Sequence, residues 1–154
     1  MAHGAPDRDR EREVIRRATR EDADAIEVLI ARYVPGGTLL PRSRTFIAEH
    51  APDFFVAIEA GRVVGCVHLE EYAPSLAEIR SLAVDPEYQG SGLGVALVEA
   101  AEQLARRRQI HTVFAVSNTG AFFVRLGYVE RDVPELDRER SEVSKFKGVY
   151  AKDL

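Results

Sequence analysis

A chain of 154 residues with 45% hydrophobic content is one domain's worth, long enough to bury a core without metal or disulfide staples. Its 21 Lys and Arg against 25 Asp and Glu give a formal charge of −4, which excludes the broad basic field of a nucleic-acid binder. A single Cys66 excludes an intrachain disulfide and no apolar run would cross a bilayer, so the expectation is a cytoplasmic protein without membrane or nucleic-acid partners.

The opening stretch, residues 1–13, is charged through Asp7-Arg8-Asp9-Arg10-Glu11-Arg12-Glu13 and is expected to stay mobile outside a folded domain over 14–154. Val14 to Ala18 reads as a short strand. Thr19 with Asp22 has the pattern of a helix cap ahead of Ile26, Leu29, Ile30 and Tyr33, and Pro35-Gly36-Gly37 stops that helix. A second short helix is expected around Arg44 to Glu49. Phe54 to Glu59 and Val63 to Leu69 flank Ala60-Gly61-Arg62, a link suited to a hairpin, and Tyr72-Ala73-Pro74-Ser75 turns the chain into Leu76 to Val84. Strands two, three and four therefore form a meander, and their apolar runs predict a sheet covered on both faces.

Leu93, Leu97, Ala100 and Leu104 make one apolar stripe on a helix that ends in Arg106-Arg107-Arg108, three cations suited to the negative end of its dipole. A buried strand over His111 to Val116, a short helix over Ala121 to Leu126, a strand beginning at Gly127-Tyr128 and a last strand over Gly148 to Lys152 complete a mixed α/β order with no internal repeat.

The segment richest in chemical information is Gln89-Gly90-Ser91-Gly92-Leu93-Gly94, between the fourth strand and the long helix. Glycines at alternate positions let the backbone curl so that several N–H groups converge on an anion at the positive helix end. A dinucleotide fingerprint would need a third Gly at Val95, and a P-loop from Gly90 would need Gly at 95 followed by Lys, so neither is present. The pattern that is present, Gln-x-x-Gly-x-Gly after Leu82-Ala83-Val84-Asp85-Pro86, resembles the acyl-CoA loop of the GNAT acetyltransferases. His3, His50, His68 and His111 are scattered, which predicts no metal site, and no G-x-S-x-G nucleophile elbow occurs.

That resemblance implies a single-domain α/β (α+β) GNAT fold, its mostly antiparallel sheet splayed between strands four and five. It also implies acetyl-CoA as cosubstrate. The pantetheine arm is then expected on main-chain groups of Leu82 and Val84, and the diphosphate on the N–H groups of Gln89, Gly90, Ser91, Gly92, Leu93 and Gly94, with Asn118 and Phe122 beside the cofactor. Glu78, on the fourth strand, is the expected base, because relatives hold a carboxylate there that works through water. Many relatives place an acid Tyr where this chain has Phe123, which leaves Ser117 or Asn118 as the donor to the leaving thiolate.

Residues 36 to 136 resemble more narrowly the acetyltransferase domain of N-acetylglutamate synthases, through Gly37 to Ser43, Val64 to Leu69, Ala77 to Val84 and Ser117 to Phe123. By that resemblance Arg42 binds the carboxylates of L-glutamate, with Arg80 beside Ser81 as a second charge, and Lys145 stands where the synthases carry an Arg; Arg forks suit carboxylates. Two alternatives stay open: acetylation of another small amine or a protein amino group, and a CoA-binding regulatory module without catalysis, motivated by Phe123. A homodimer is a further expectation.

Overall fold

The computed structural model describes residues 14–136 and 147–154. The expected mobile segment 1–13 and the candidate Lys145 lie outside the described residues.

Alternation along β2, Phe54–Glu59, sends Phe54 and Val56 to one side of the sheet and Phe55 and Ala57 to the other, and all four are buried. β1, Val14–Arg17, pairs antiparallel with β2, which pairs with β3, Arg62–Ala73, which pairs with β4, Leu76–Val84. β4 then runs parallel to β5, Thr112–Ser117, and β7, Gly148–Asp153, lies between β5 and the two-residue edge strand β6, Val129–Glu130. The result is one seven-stranded sheet in the order β1-β2-β3-β4-β5-β7-β6.

Helices α1, Ala23–Ala31, and α2, Arg44–Glu49, cover one face through Ile26, Ile30 and Ile47. Helices α3, Leu93–Arg107, and α4, Gly120–Arg125, cover the other through Leu97, Ala101, Leu104 and Phe123. The meander and its two-sided cover are as the sequence predicts. Among the described residues no helix is long and apolar enough to cross a membrane.

Three details depart from the sequence reading. Asp22 closes a capping box on Thr19, but over a 3-10 turn at Arg20–Asp22, and α1 follows it. That helix ends at Ala31 in a run of tightened bonds, Tyr33 N–H to the Ile30 carbonyl at 2.9 Å among them, so Tyr33 sits in the turn beyond the helix. In α3 the buried stripe includes Val98, Ala101 and Ala105, and Ala100 lies at its margin. The same helix buries Glu102, whose carboxylate accepts the Tyr128 hydroxyl at 2.7 Å and the Lys152 ammonium at 3.2 Å, so the buried charge is paired.

Candidate active site

β4 and β5 pair only at Leu76↔Thr112, Ala77↔Val113 and Glu78↔Phe114; residues 79–84 have no partner on β5. The divergence follows from what each strand holds on its other side. β5 continues against β7 to Ser117↔Gly148, and β4 continues against β3 to Gly65↔Val84. Between Cys66↔Ala83 and His68↔Arg80 the chain advances two residues on β3 and three on β4, which is a bulge, and Ser81 there adopts φ 55. A non-glycine residue in that region carries backbone strain, and the extra residue bends β4 away from β5. Two main chains are thus kept apart over a solvent-open cleft.

The structure brings Arg42, Glu78, Arg80, Ser81, Leu82, Ser117 and Asn118 together on that cleft, although they come from three regions of the chain. Glu78 stands at the apex, in the last β4–β5 pair, and is 9% exposed. Arg80 on the same strand donates to Glu70 at 2.7 Å and lies 3.9 Å from the Glu78 carboxylate, so its charge is largely committed within the protein. Burial works against the Glu70 charge, but the Arg80 hydrogen bond and charge, with smaller contributions from other neighbours, hold that carboxyl below its ordinary pKa.

Arg42 is different. It follows the 34–41 loop just before Ser43, whose hydroxyl caps α2 by accepting the Phe46 N–H, and its guanidinium lies over the Phe46 ring at 5.1 Å. Its Nε and Nη2 are shut away from solvent and have no hydrogen-bond partner among the described residues. Burial and then the neighbouring Arg80 charge lower its pKa, yet a guanidinium remains cationic. Buried donors left unpaired cost about 1–3 kcal/mol, so these two nitrogens are unsatisfied where they stand.

Lys147 is a further cation at the site, one that the sequence does not single out. It lines the cleft and donates to the Thr38 carbonyl at 2.9 Å, with its pKa lowered by burial. The one signal in the sequence is that Lys147 immediately precedes the last strand; that Gly148 lies opposite Ser117 is a matter of register.

The glycine-rich turn lies beyond the open end of the gap. Gly92 caps α3 in the left-handed conformation at φ 89, with no side-chain cap and no acidic residue in the first turn, and Gly90 adopts φ 81. The first N–H groups of a 15-residue helix are left as donors for an anion there. Phe122 packs close by, since a Cβ placed on Gly94 would meet its ring at 3.4 Å. Internal hydrogen bonds tie this end together. The Val84 carbonyl already accepts the Tyr33 hydroxyl and the Gln89 side-chain amide, so its acceptor capacity is used internally. The Gln89 side chain is likewise a strut, donating to the Tyr33 hydroxyl oxygen at 2.8 Å.

The Ser117 hydroxyl accepts the Thr119 N–H at 2.9 Å and lies 2.8 Å from the Thr119 hydroxyl, a local turn at the cleft edge. Phe123 is 5% exposed and forms part of the cleft wall, stacked edge-on with Tyr128, so no phenol stands at that position. Among the described residues no group of three or more His, Cys, Asp or Glu could hold a metal ion.

Behind Phe46 lies His68, 1% exposed, stacked on Phe54 at 4.3 Å and without a hydrogen-bond partner among the described residues on either nitrogen. Burial pushes its pKa down to about 4. A base with a depressed folded-state pKa binds fewer protons than the unfolded chain between about pH 6.5 and that value, so stability is fully present above 6.5 and falls as the pH drops. The His68 contribution lost below pH 4 is about 3 kcal/mol. Urea unfolding at pH 7 and pH 4.5 is expected to show most of that loss in the wild type and a smaller pH difference in His68→Phe.

The acetyltransferase (GNAT) family profile matches residues 20–128. An uncharacterized N-acetyltransferase of Chlorobaculum tepidum is 42% identical over 75% of this chain and 75% of its own. The amino-acid acetyltransferase of Mycobacterium tuberculosis is 38% identical over 77% of this chain and 70% of its own. The crystal structure of N-acetylglutamate synthase from Neisseria gonorrhoeae, complexed with coenzyme A and N-acetyl-glutamate, superposes on 92% of this chain and 35% of that one, with TM-score 0.83 and 29% identity. Splayed strands, a long helix capped by a left-handed glycine and the sequence match agree: the chain belongs to the acetyltransferase (GNAT) family.

Proposed function

We propose that this protein transfers the acetyl group of acetyl-CoA to the α-amine of L-glutamate. The observation that carries the acceptor is the Arg42 guanidinium, half-buried on the cleft with two N–H-bearing nitrogens unpartnered among the described residues. Lys147, on the same cleft, supplies a second positive charge, which suits an acceptor with two carboxylates.

Acetyl-CoA supplies an activated thioester; the rest is done by the chain. The α3 N-terminus and its glycine turn take the diphosphate, and the walls of the gap at Ile79, Leu82 and Ala115 receive the arm that carries the thioester. Arg42 fixes a carboxylate and leaves the amine to face the gap. Glu78, at the apex, accepts the ammonium proton through a water so that the nitrogen lone pair can form the new C–N bond. The departing sulfur is protonated from the Ser117 and Asn118 side of the cleft, since Phe123 carries no proton.

Following thiol release from acetyl-CoA across a panel of glutamate, glutamine, aspartate, lysine and a peptide amine tests this reading. Glutamate is expected to give the highest kcat/KM. Turnover on glutamine or the peptide but not glutamate would overturn the acceptor. Phe123 gives a second reading its one support: a coenzyme sensor would be stabilised thermally by CoA and release no thiol with any amine.

A further inference from the structure

Tyr33 lies on neither the coenzyme turn nor the cleft wall, yet it makes hydrogen bonds to both. Its own carbonyl accepts the N–H of Thr38 at 3.2 Å and of Leu39 at 3.1 Å, and so closes the irregular segment that leads to Arg42. Thr38 and Leu39 both line the cleft, and the Thr38 carbonyl in turn receives Lys147. At its other end, the Tyr33 hydroxyl donates to the Val84 carbonyl, on the last residue of β4, and accepts from Gln89, the first residue of the glycine turn. The residue before it adds a weaker strut, Arg32 to Asp85 at 3.1 Å, with the Arg half exposed.

One residue therefore ties the amine-side loop, through its backbone, to the coenzyme-side turn, through its hydroxyl. Residues 34–43 contain no helix or strand, so their geometry depends on such ties. We propose that Tyr33 is a positioning residue that couples coenzyme binding at the glycine turn to the arrangement of the acceptor loop, so that CoA raises the affinity for the amine. The inference rests on the reading that CoA binds at residues 89–94 and the amino dicarboxylate at Arg42. Fixing the turn through Gln89 and Val84 fixes the Tyr33 ring, and the Tyr33 carbonyl then holds Thr38 and Leu39 in place; the ordering cost of the loop is met once, before the amine arrives.

Calorimetric titration of L-glutamate into the protein, without CoA and with saturating CoA, reads the coupling directly. The wild type is expected to bind glutamate at least about fivefold more tightly with CoA present. Tyr33→Phe deletes only the hydroxyl and is expected to lose most of that factor, and Gln89→Leu, which removes the exposed end of the same tie, should lose it as well. Thermal unfolding of the variants accompanies the titrations, because a merely structural Tyr33 would shift the melting temperature or both affinities and leave the ratio at its wild-type value; that result overturns the proposal. A wild-type ratio of one overturns it too. A wild type that binds neither CoA nor glutamate contradicts the underlying site reading instead, which keeps the two failures distinct.

Discussion

Arg42→Ala is expected to lower kcat/KM for glutamate by about a thousandfold, the equivalent of about 4 kcal/mol, because a desolvated carboxylate would lose its charged partner. The loss should appear mainly in KM, since the guanidinium holds a carboxylate that is equally charged in ground and transition states. Affinity for CoA should stay at the wild-type value, because Arg42 lies on the α2 side of the sheet and the glycine turn on the α3 side. Arg42→Lys should recover only part of the activity, because an ammonium cannot reproduce the two-pronged fork. The same substitution to Ala should leave thermal stability intact, because what it removes is a buried cation whose Nε and Nη2 find no partner among the described residues. Activity lost without stability lost separates a binding residue from a structural one, and steady-state kinetics with a melting curve measures both.

Glu78→Gln should reduce kcat by about a hundredfold to ten-thousandfold at neutral pH while KM for acetyl-CoA changes little. The side chain is nearly isosteric, so the β4 pairing at Phe114 should persist. The variant lacks a base, so its rate should keep climbing with pH as solvent deprotonates the amine, and the gap to the wild type should narrow on the alkaline side. A pH–rate profile checks this. Equal loss at every pH would assign Glu78 to holding Arg80, 3.9 Å away, instead of to proton transfer.

Much of the fold was legible because its signals are local. Apolar runs marked the meander, Gly61 marked one hairpin, and the 3.6-residue stripe marked α3 to within a turn. The glycine turn was legible for the same reason, since φ values of 81 and 89 at Gly90 and Gly92 are a demand that sequence expresses directly. What local pattern could not show is the insertion of β7 between β5 and β6, because the strand order of a sheet depends on contacts far apart in the chain. The Ser81 bulge was hidden as well, in a residue type that gives no hint of positive φ.

The site divides along the same line. Arg42, Glu78, Leu82 and Ser117 could be named from resemblance, and the structure gathers them. Resemblance did not reveal that Arg80 spends its charge on Glu70, nor that the Val84 carbonyl and the Gln89 amide are bonded to Tyr33. Each of these is a pairing between side chains or backbone groups on different elements. Lys147 shows itself only through the register of the last strand, which sets Gly148 opposite Ser117 and brings the preceding residue to the cleft.

On the proposed mechanism the gap opening after Glu78 receives the thioester, and Arg42 receives the acceptor's carboxylate beside it. A crystal structure with CoA and N-acetyl-L-glutamate tests both at once. The CoA diphosphate is expected on the N–H groups that open α3, its sulfur between β4 and β5, and a glutamyl carboxylate about 3 Å from Arg42 Nε and Nη2. A glutamyl group bound away from Arg42, or a CoA arm lying outside the β4–β5 gap, would contradict the mechanism.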